Sequence, residues 1–234
     1  MDEGFTSYID DVALNVVLNQ GKALPNAKAY EDYFNWVGLG LEEPMTTHAD
    51  RFKYNTGYGM SAYDKGSIFL SQLQYVIGKE NFDRTLKKYF EDWAFKHPKP
   101  NDFIRSAEKV SGLELDWYLL DWAQSTMTID YAINSVIDNQ STTTVNLQRV
   151  GQMGMPIDLK VELKSGEVLL YNIPMTKMRG AKPVENMSLL DSWSWAKPYY
   201  SFELEVKKSA VSKIVIDPSG EMADVNRDNN SLAF

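Results

Sequence analysis

Apolar residues in the first half of the chain recur at steps of three and four positions, which places them on one face of an α-helix. The first series consists of Phe5, Tyr8, Ile9, Val12, Ala13, Val16 and Val17. The same spacing predicts further helices, around residues 30–37, 61–77, 82–93, 101–111 and 115–124. The region from residue 2 to about residue 128 is therefore predicted to be all helical.

Capping and turn-forming residues mark the ends of several predicted helices. Ser61 is expected to cap a helix that follows a polar loop, with Asp64 close to the positive end of the helix dipole. Gly78 and Gly112 are expected to end two helices. Asn101-Asp102 is predicted to cap the short helix that ends at Gly112.

From about Ile129 onward the apolar period changes to two, as in half-buried β-strands. This alternation predicts short strands around residues 145–149, 157–163, 168–173, 202–206 and 214–216. Lys164-Ser165-Gly166-Glu167 is predicted to form a hairpin turn. Several short strands at this spacing predict a β-sandwich of immunoglobulin-like type, while the polar segment 226–234 is expected to be loose.

Composition adds limits to this picture. The 44% apolar and 24% charged content of the 234-residue chain is that of an ordinary globular protein. The change of apolar period predicts an α+β chain with two domains, 1–128 and 129–234. The net charge of −8 argues against nucleic acid or an anionic membrane as a partner. No apolar run is long enough to span a membrane. The absence of cysteine is compatible with a cytoplasmic, periplasmic or secreted protein, so the compartment stays open.

Two short motifs lie on the predicted helices. The chain opens with Asp2-Glu3-Gly4-Phe5, and a later segment reads Tyr63-Asp64-Lys65-Gly66, with Tyr58 shortly before it. A glutamate carboxylate is a common zinc ligand. A tyrosine hydroxyl stays protonated at neutral pH and can stabilise developing negative charge. Together the motifs resemble those of the gluzincin zinc aminopeptidases, the aminopeptidase N family, in which both occur downstream of an H-E-x-x-H helix.

The resemblance covers roughly residues 2–125 and implies the helical C-terminal half of a thermolysin-like catalytic domain, followed by a β-sandwich. It implies that Glu3 supplies the third zinc ligand and that Tyr63 donates a hydrogen bond to the oxyanion of the tetrahedral intermediate. Tyr58 matches a further tyrosine of some members and is a candidate for substrate binding. In the intact enzyme, peptides would be the substrates, and zinc-activated water would release their N-terminal residues.

The remaining parts of such a zinc site are not present in this sequence. The two histidines, His48 and His97, lie in separate segments, and neither is followed by Glu-x-x-His. A catalytic zinc takes about three protein ligands. We therefore expect the chain alone to bind no zinc tightly and to lack peptidase activity, as a C-terminal fragment whose partner is the missing N-terminal half of the catalytic domain. The sequence does not indicate the oligomeric state.

Each of these interpretations has a simpler alternative. Glu3 is also well placed as an acidic residue at a helix N-terminus. Tyr63 is equally typical of an aromatic residue in a helix-packed core, and Lys65 of a solvated charge. His48 and His97 are better explained as surface or helix-terminal residues than as ligands. The chain as a whole could also be a non-catalytic helical plus β-sandwich module that binds or scaffolds other proteins.

Aromatic residues are concentrated in one segment of the β region. Trp193, Trp195, Tyr199, Tyr200 and Phe202 lie close together in the sequence. Such a cluster is compatible with a sugar- or peptide-binding surface. We favour packing, either inside the sandwich or at its junction with the helices, because no polar pattern accompanies the rings.

Overall fold

The computed structural model describes residues 2–234. These fall into two compact units, one that ends at Met127 and one that spans Thr128–Phe234. The first unit is helical and the second contains two β-sheets. The predicted fold class, a helical region followed by a β-sandwich in an α+β chain, is therefore confirmed. No helix among the described residues combines the length and the apolar character that a membrane crossing needs.

Seven α-helices form the described part of the helical unit: α1 (Asp2–Val17), α2 (Ala27–Gly38), α3 (Asn55–Gly59), α4 (Lys65–Ile77), α5 (Lys79–Trp93), α6 (Pro100–Ser111) and α7 (Asp116–Ala123). Helix α4 is central, because α1, α2 and α5 all contact it. Its apolar residues Ile68, Leu70 and Leu73 are completely buried. Burial of each such side chain contributes about 1.5–3 kcal/mol, so α4 contributes strongly to the stability of this unit.

Two helix starts differ from the sequence prediction. Ser61 does not cap a helix, because α3 continues into a π-helical turn, Met60–Asp64, that leads directly into α4. Helix α6 begins at Pro100, whose fixed φ angle suits the first helical position. Asp102 contributes from inside this helix, since its carboxylate accepts a hydrogen bond from the Lys99 backbone N–H at 2.7 Å. Gly112 ends the helix as predicted, in the left-handed region at φ 73°.

Eight strands form the β unit as described: β1 (Tyr131–Asp138), β2 (Thr143–Arg149), β3 (Ile157–Leu163), β4 (Val168–Ile173), β5 (Ser188–Leu189), β6 (Tyr199–Leu204), β7 (Val211–Ile216) and β8 (Ser231–Ala233). They form a three-stranded sheet in the order β1-β2-β6 and a five-stranded sheet in the order β5-β4-β3-β7-β8. Tyr171 of one sheet contacts Phe202 of the other, with ring centroids 5.7 Å apart. The inward residues of β2 and β3, such as Val145 and Leu159, are completely buried.

The C-terminal segment corrects the expectation that residues 226–234 are loose. Strand β8 pairs antiparallel with β7, and Leu232 lies opposite Ile214. A backbone hydrogen bond from the Ile216 N–H to the Asn230 carbonyl, 2.8 Å long, continues the connection. The segment is therefore an edge of the five-stranded sheet, where backbone pairing replaces an apolar side-chain pattern.

The two tryptophans of the aromatic segment have different environments. Trp193 is 4% exposed, packs between Tyr131 and Tyr200, and donates its indole N–H to the Lys197 carbonyl at 2.9 Å. Trp195 is 52% exposed, with the Lys177 ammonium 4.7 Å from its ring centre. The packing interpretation thus holds for Trp193, inside the β unit, and not for Trp195.

Candidate active site

Glu3 and Tyr63, sixty positions apart in the sequence, lie next to each other in the structure. Glu3 is in the first turn of α1, and Tyr63 is in the π-helical turn before α4. The Tyr63 hydroxyl lies within hydrogen-bonding reach of the Glu3 carboxylate. The interaction with this carboxylate and its negative charge raise the pKa of the Tyr63 hydroxyl above its ordinary value. The hydroxyl therefore carries its proton at neutral pH and acts as a donor.

The π-helical turn sets the direction in which Tyr63 points. A π-helical turn has an i to i+5 hydrogen bond and so inserts one extra residue into the α-helical repeat. Around it, Ser61 and Lys65 are buried, whereas Tyr63 is 41% exposed. The alternative interpretation of Tyr63 as a core aromatic residue is therefore wrong. Such turns are frequent at functional sites because they displace one side chain from the regular helical face.

A close crossing of α1 and α4 brings the two motifs together. A Cβ atom built on Gly4 would lie 2.6 Å from the Gly66 Cα, and one built on Gly66 would lie 2.7 Å from the Gly4 Cα. These distances are shorter than van der Waals contact, so neither position has room for a side chain. The two helices touch here backbone to backbone, one residue after Glu3 and three residues after Tyr63.

Lys65 is a buried structural charge, which corrects the interpretation of this residue as solvated. It is 2% exposed and forms an ion pair with the Glu42 carboxylate, which comes from the loop after α2. Its ammonium also donates to the Ser125 carbonyl at 3.3 Å. Burial lowers the pKa of Lys65, while the Glu42 carboxylate opposes that change. The pair joins the α2 loop and the end of the helical unit to the start of α4.

A cavity of about 350 Å³ opens beside Glu3 within the helical unit. Tyr58 lies on its wall and contacts Phe52 edge to face, with ring centroids 5.7 Å apart. Most of the other lining side chains are apolar: Phe5, Met45, Phe69, Phe103 and Leu119. The cavity thus has an acidic edge and an apolar interior, and its size suits a single amino-acid side chain.

Neither histidine is close to this site by any contact that the structure shows. His48 precedes a short 3₁₀ turn, Ala49–Arg51, and its Nδ1 accepts a hydrogen bond from the Asp50 N–H at 3.2 Å. It acts as an exposed capping residue, and His97 is also exposed. Among residues 2–234 no group of three or more His, Cys, Asp or Glu side chains has a geometry that could hold a metal ion.

The donor set therefore fits a zinc ion in part. Glu3 offers a carboxylate, which is a zinc ligand of the right chemical type, on a partly exposed side chain at the cavity edge. A catalytic zinc takes three protein ligands, and the described residues form no group of three such donors around Glu3. We derive no reaction step through a metal from this chain alone.

Some parts of the site were not apparent from the sequence. The π-helical turn depends on tertiary packing and leaves no periodic signal. Glu42 was not singled out, because an acidic residue in a polar loop gives no indication of a buried lysine partner. The proximity of Gly4 and Gly66 was also missed, although each glycine directly follows a functional motif, which is the signal that points to a close backbone approach.

Comparison with known proteins gives an independent result for the helical unit. The Peptidase family M1 domain matches residues 1–122 of the 234. The leucyl aminopeptidase of Saccharolobus solfataricus is 22% identical over all of this chain and 28% of its own length. Aminopeptidase N of Escherichia coli is 23% identical over 57% of this chain and 16% of its own length. A crystal structure of Legionella pneumophila aminopeptidase A with aspartic acid covers 72% of this chain and 18% of its own, at 17% identity and a TM-score of 0.47.

This chain thus spans less than a third of each of the two curated relatives. The family match covers more than half of the chain and includes both Glu3 and Tyr63. The resemblance inferred from the two motifs is confirmed: the chain belongs to peptidase family M1.

Proposed function

We propose that this chain provides the C-terminal part of the active site of a zinc aminopeptidase, with Glu3 as one zinc ligand and Tyr63 as an oxyanion donor. The observation that carries the proposal is that Tyr63 and Glu3, from two motifs far apart in the sequence, lie next to each other where α1 and α4 cross. A structural role alone would not require a tyrosine hydroxyl and a carboxylate to meet at the edge of a cavity.

Tyr63 has the properties that such a donor needs. Its hydroxyl is protonated at neutral pH, and its side chain is partly exposed. In peptide hydrolysis, negative charge develops on the oxygen of the attacked carbonyl. A preplaced donor stabilises that oxygen, and loss of one such donor typically lowers kcat by about 10²–10³-fold.

Glu3 contributes a carboxylate oxygen to the metal, while the other two ligands and the general base come from a segment outside these 234 residues. When bound, zinc supplies Lewis acidity at the scissile carbonyl. Tyr58 and the apolar cavity lie on the same side as Glu3, so we assign them to contact with the peptide substrate. The missing N-terminal half of the catalytic domain is the partner that completes this site.

The assignment of zinc predicts the behaviour of the chain by itself. With one ligand of three, it is expected to bind zinc weakly and to show no hydrolysis of an aminoacyl anilide. Zinc-dependent turnover by the purified 234-residue chain would contradict the division of the site between two segments.

The decisive experiment begins with the coding region upstream of Met1, read in frame. An H-E-x-x-H helix there supports the proposal, and the longer protein can then be tested with Tyr63→Phe. We expect kcat to fall by about 10²–10³-fold with little change in KM. Tyr54→Phe is the matched control, because Tyr54 is similarly exposed and does not line the cavity. Equal activity of both variants would refute the role of Tyr63, and an unrelated upstream sequence would leave the non-catalytic binding module.

A further inference from the structure

The crossing of α1 and α4 determines how far apart Glu3 and Tyr63 lie. Gly4 directly follows Glu3, and Gly66 lies three positions after Tyr63, on the same side of the helix. The atoms that a new Cβ would meet are the backbone atoms Cα, C and O of Gly66, the nearest at 2.6 Å. Backbone atoms of a helix cannot rotate away as a flexible side chain can. A methyl group at either glycine therefore has to push the helices apart.

The size of that displacement is comparable to the tolerance of the site. Carbon atoms pack at about 3.5–4.0 Å, so relief of the clash requires a separation of about 1 Å. A hydrogen bond between two oxygen atoms spans about 2.5–3.0 Å and weakens steeply beyond that range. The same movement of about 1 Å is enough to take the Tyr63 hydroxyl out of hydrogen-bonding reach of the Glu3 carboxylate.

A second contact between these helices shows that the glycines are the point of closest approach. Further along α1, the Tyr8 hydroxyl donates a hydrogen bond to the Gln74 side-chain oxygen of α4 at 3.0 Å. A full tyrosine side chain fits between the helices there, whereas no side-chain atom fits at Gly4. The helices thus diverge from the glycine contact, and the contact fixes the end of the pair that carries Glu3.

We propose that Gly4 and Gly66 are positioning residues of the active site, whose backbone contact holds Glu3 and Tyr63 at the separation that catalysis requires. The catalytic role of this contact rests on the function proposed above. Its effect on the distance between Glu3 and Tyr63 concerns this chain alone. The two glycines act through Glu3 and Tyr63 and touch no reacting atom themselves.

The test measures the proximity of Tyr63 and Glu3 in the 234-residue chain by NMR. The nuclear Overhauser effect between the Tyr63 ring protons and the Glu3 side-chain protons falls with the sixth power of their distance. A separation of about 1 Å, the value set by van der Waals packing, therefore weakens it severalfold. We expect Gly66→Ala to weaken this signal severalfold, with an unchanged signal between Tyr8 and the side chain of Gln74 or a smaller loss there.

Gly59→Ala is the matched control. Gly59 lies at the end of α3 in the same helical stretch, has helical φ and ψ angles, and has no atom within 4 Å of a built Cβ. It should leave the signal between Tyr63 and Glu3 unchanged. A folded Gly66→Ala variant that keeps the full signal would overturn the proposal. If Gly66→Ala does not fold, Gly4→Ala tests the same contact from the first turn of α1, where a displacement disturbs less of the core.

Kinetic measurements on variants of the longer enzyme separate this proposal from the proposed function. In the longer enzyme, Gly66→Ala should lower kcat with little change in KM, and the double variant with Tyr63→Phe should be no slower than Tyr63→Phe alone. Additive losses would overturn the positioning role, because the glycine would then act independently of Tyr63. Two results together would separate the proposals: Gly66→Ala weakens the NMR signal, and Tyr63→Phe leaves the activity unchanged. The glycine contact would then still position Glu3 and Tyr63, but the catalytic role of Tyr63 would be refuted.

Discussion

The helical and β units each bury ionisable side chains, and one in each unit, Lys65 and Asp224, shows a different way to compensate a buried charge. Lys65 of the helical unit faces a carboxylate of opposite charge, Glu42. Asp224 of the β unit is 1% exposed and accepts hydrogen bonds from the backbone N–H groups of Tyr131 and Asn226, each at 2.8–2.9 Å. Burial raises the pKa of Asp224 to about 6, and the nearby charge of Asp130 adds to this effect.

This difference affects how the charge of each group, Lys65 and Asp224, is maintained. An opposite charge favours the charged form of a buried group, so the Glu42 carboxylate opposes the effect of burial on the Lys65 ammonium at the start of α4. Backbone dipoles compensate the Asp224 carboxylate less completely, so Asp224, with a pKa of about 6, changes its protonation state around that pH. The buried charge beside the candidate site is thus compensated by an opposite charge.

The largest expected effect concerns the ion pair. Lys65→Met leaves the Glu42 carboxylate buried without a partner, and we expect the free energy of unfolding of the helical unit to fall by about 3–5 kcal/mol. Urea unfolding followed by tryptophan fluorescence measures this loss, since the Lys65 ammonium lies 6.0 Å from the Trp122 ring.

A double variant provides the control for that prediction. Lys65→Met combined with Glu42→Leu removes both charges, and it should recover most of the lost stability. Lys28→Met, which breaks the exposed pair between Lys28 and Asp32, should change stability very little. An equal loss in the single and double variants would show that packing of the lysine stem, and not the ion pair, holds α4.

The next effect tests packing in the β unit. Trp193→Ala should lower the stability of that unit by about 3 kcal/mol, because it removes a buried ring that touches Tyr131 and Tyr200. Trp195→Ala should change stability by less than about 0.5 kcal/mol, since its ring is largely exposed. Thermal unfolding of the two variants, measured by near-UV circular dichroism, compares them. Similar losses would mean that Trp195 also packs in solution.

The third largest expected effect is the change in stability of the β unit with pH that Asp224 causes. Its folded pKa of about 6 lies above the ordinary value of 3.8 for an aspartate in an unfolded chain. The contribution of this group to stability is therefore full below pH about 4 and is lost as the pH rises through about 6. We expect a loss on the order of 2 kcal/mol in the β unit across that interval.

Two variants isolate that contribution. Asp224→Asn should flatten the pH profile of the β unit, at some cost in stability because the amide cannot accept two backbone hydrogen bonds equally well. Asp228→Asn, at an exposed position on the same segment, should leave the profile as it is. A carboxyl ¹³C titration of Asp224 that centres near pH 4 would contradict the expected profile.

The sequence predicted the regular elements of both units because their apolar periods are clear, as in α1, α5 and β3. Strand β1 was missed because its register shifts between Ile133 and Ser135, which interrupts the alternation. Strand β8 was missed because Ser231–Ala233 is too short to show a period and depends on β7 for its pairing. Both strands, β1 and β8, depend on pairing with a partner strand, which the sequence of the segment itself does not show.

The candidate site was predicted in its residues and not in its geometry. Glu3, Tyr58 and Tyr63 were identified from motif resemblance, and the structure brings Glu3 and Tyr63 into contact. The burial of Lys65 was not predictable, because its partner Glu42 is 23 positions away in an irregular loop. Contacts between distant segments are what local periodicity cannot show, and the site consists mainly of such contacts.

The smallest expected effect concerns the outer face of α1. Ile9, Val16 and Val17 are 48%, 68% and 74% exposed, although the sequence places them on the same apolar face as the buried Tyr8. Val17→Lys should change the stability of the helical unit by less than about 0.5 kcal/mol. A slight gain is expected, because lysine has a better helix propensity than valine and its charge suits the C-terminal end of a helix.

Thermal unfolding at two protein concentrations measures this change in stability, with Val168→Lys on the exposed face of β4 as the equivalent change in the β unit. A loss above about 1 kcal/mol in Val17→Lys that grows with protein concentration would show that a second copy of the chain covers α1. The helical unit would then bury its apolar surface by self-association, and the comparison between the two units would have to be made for a dimer.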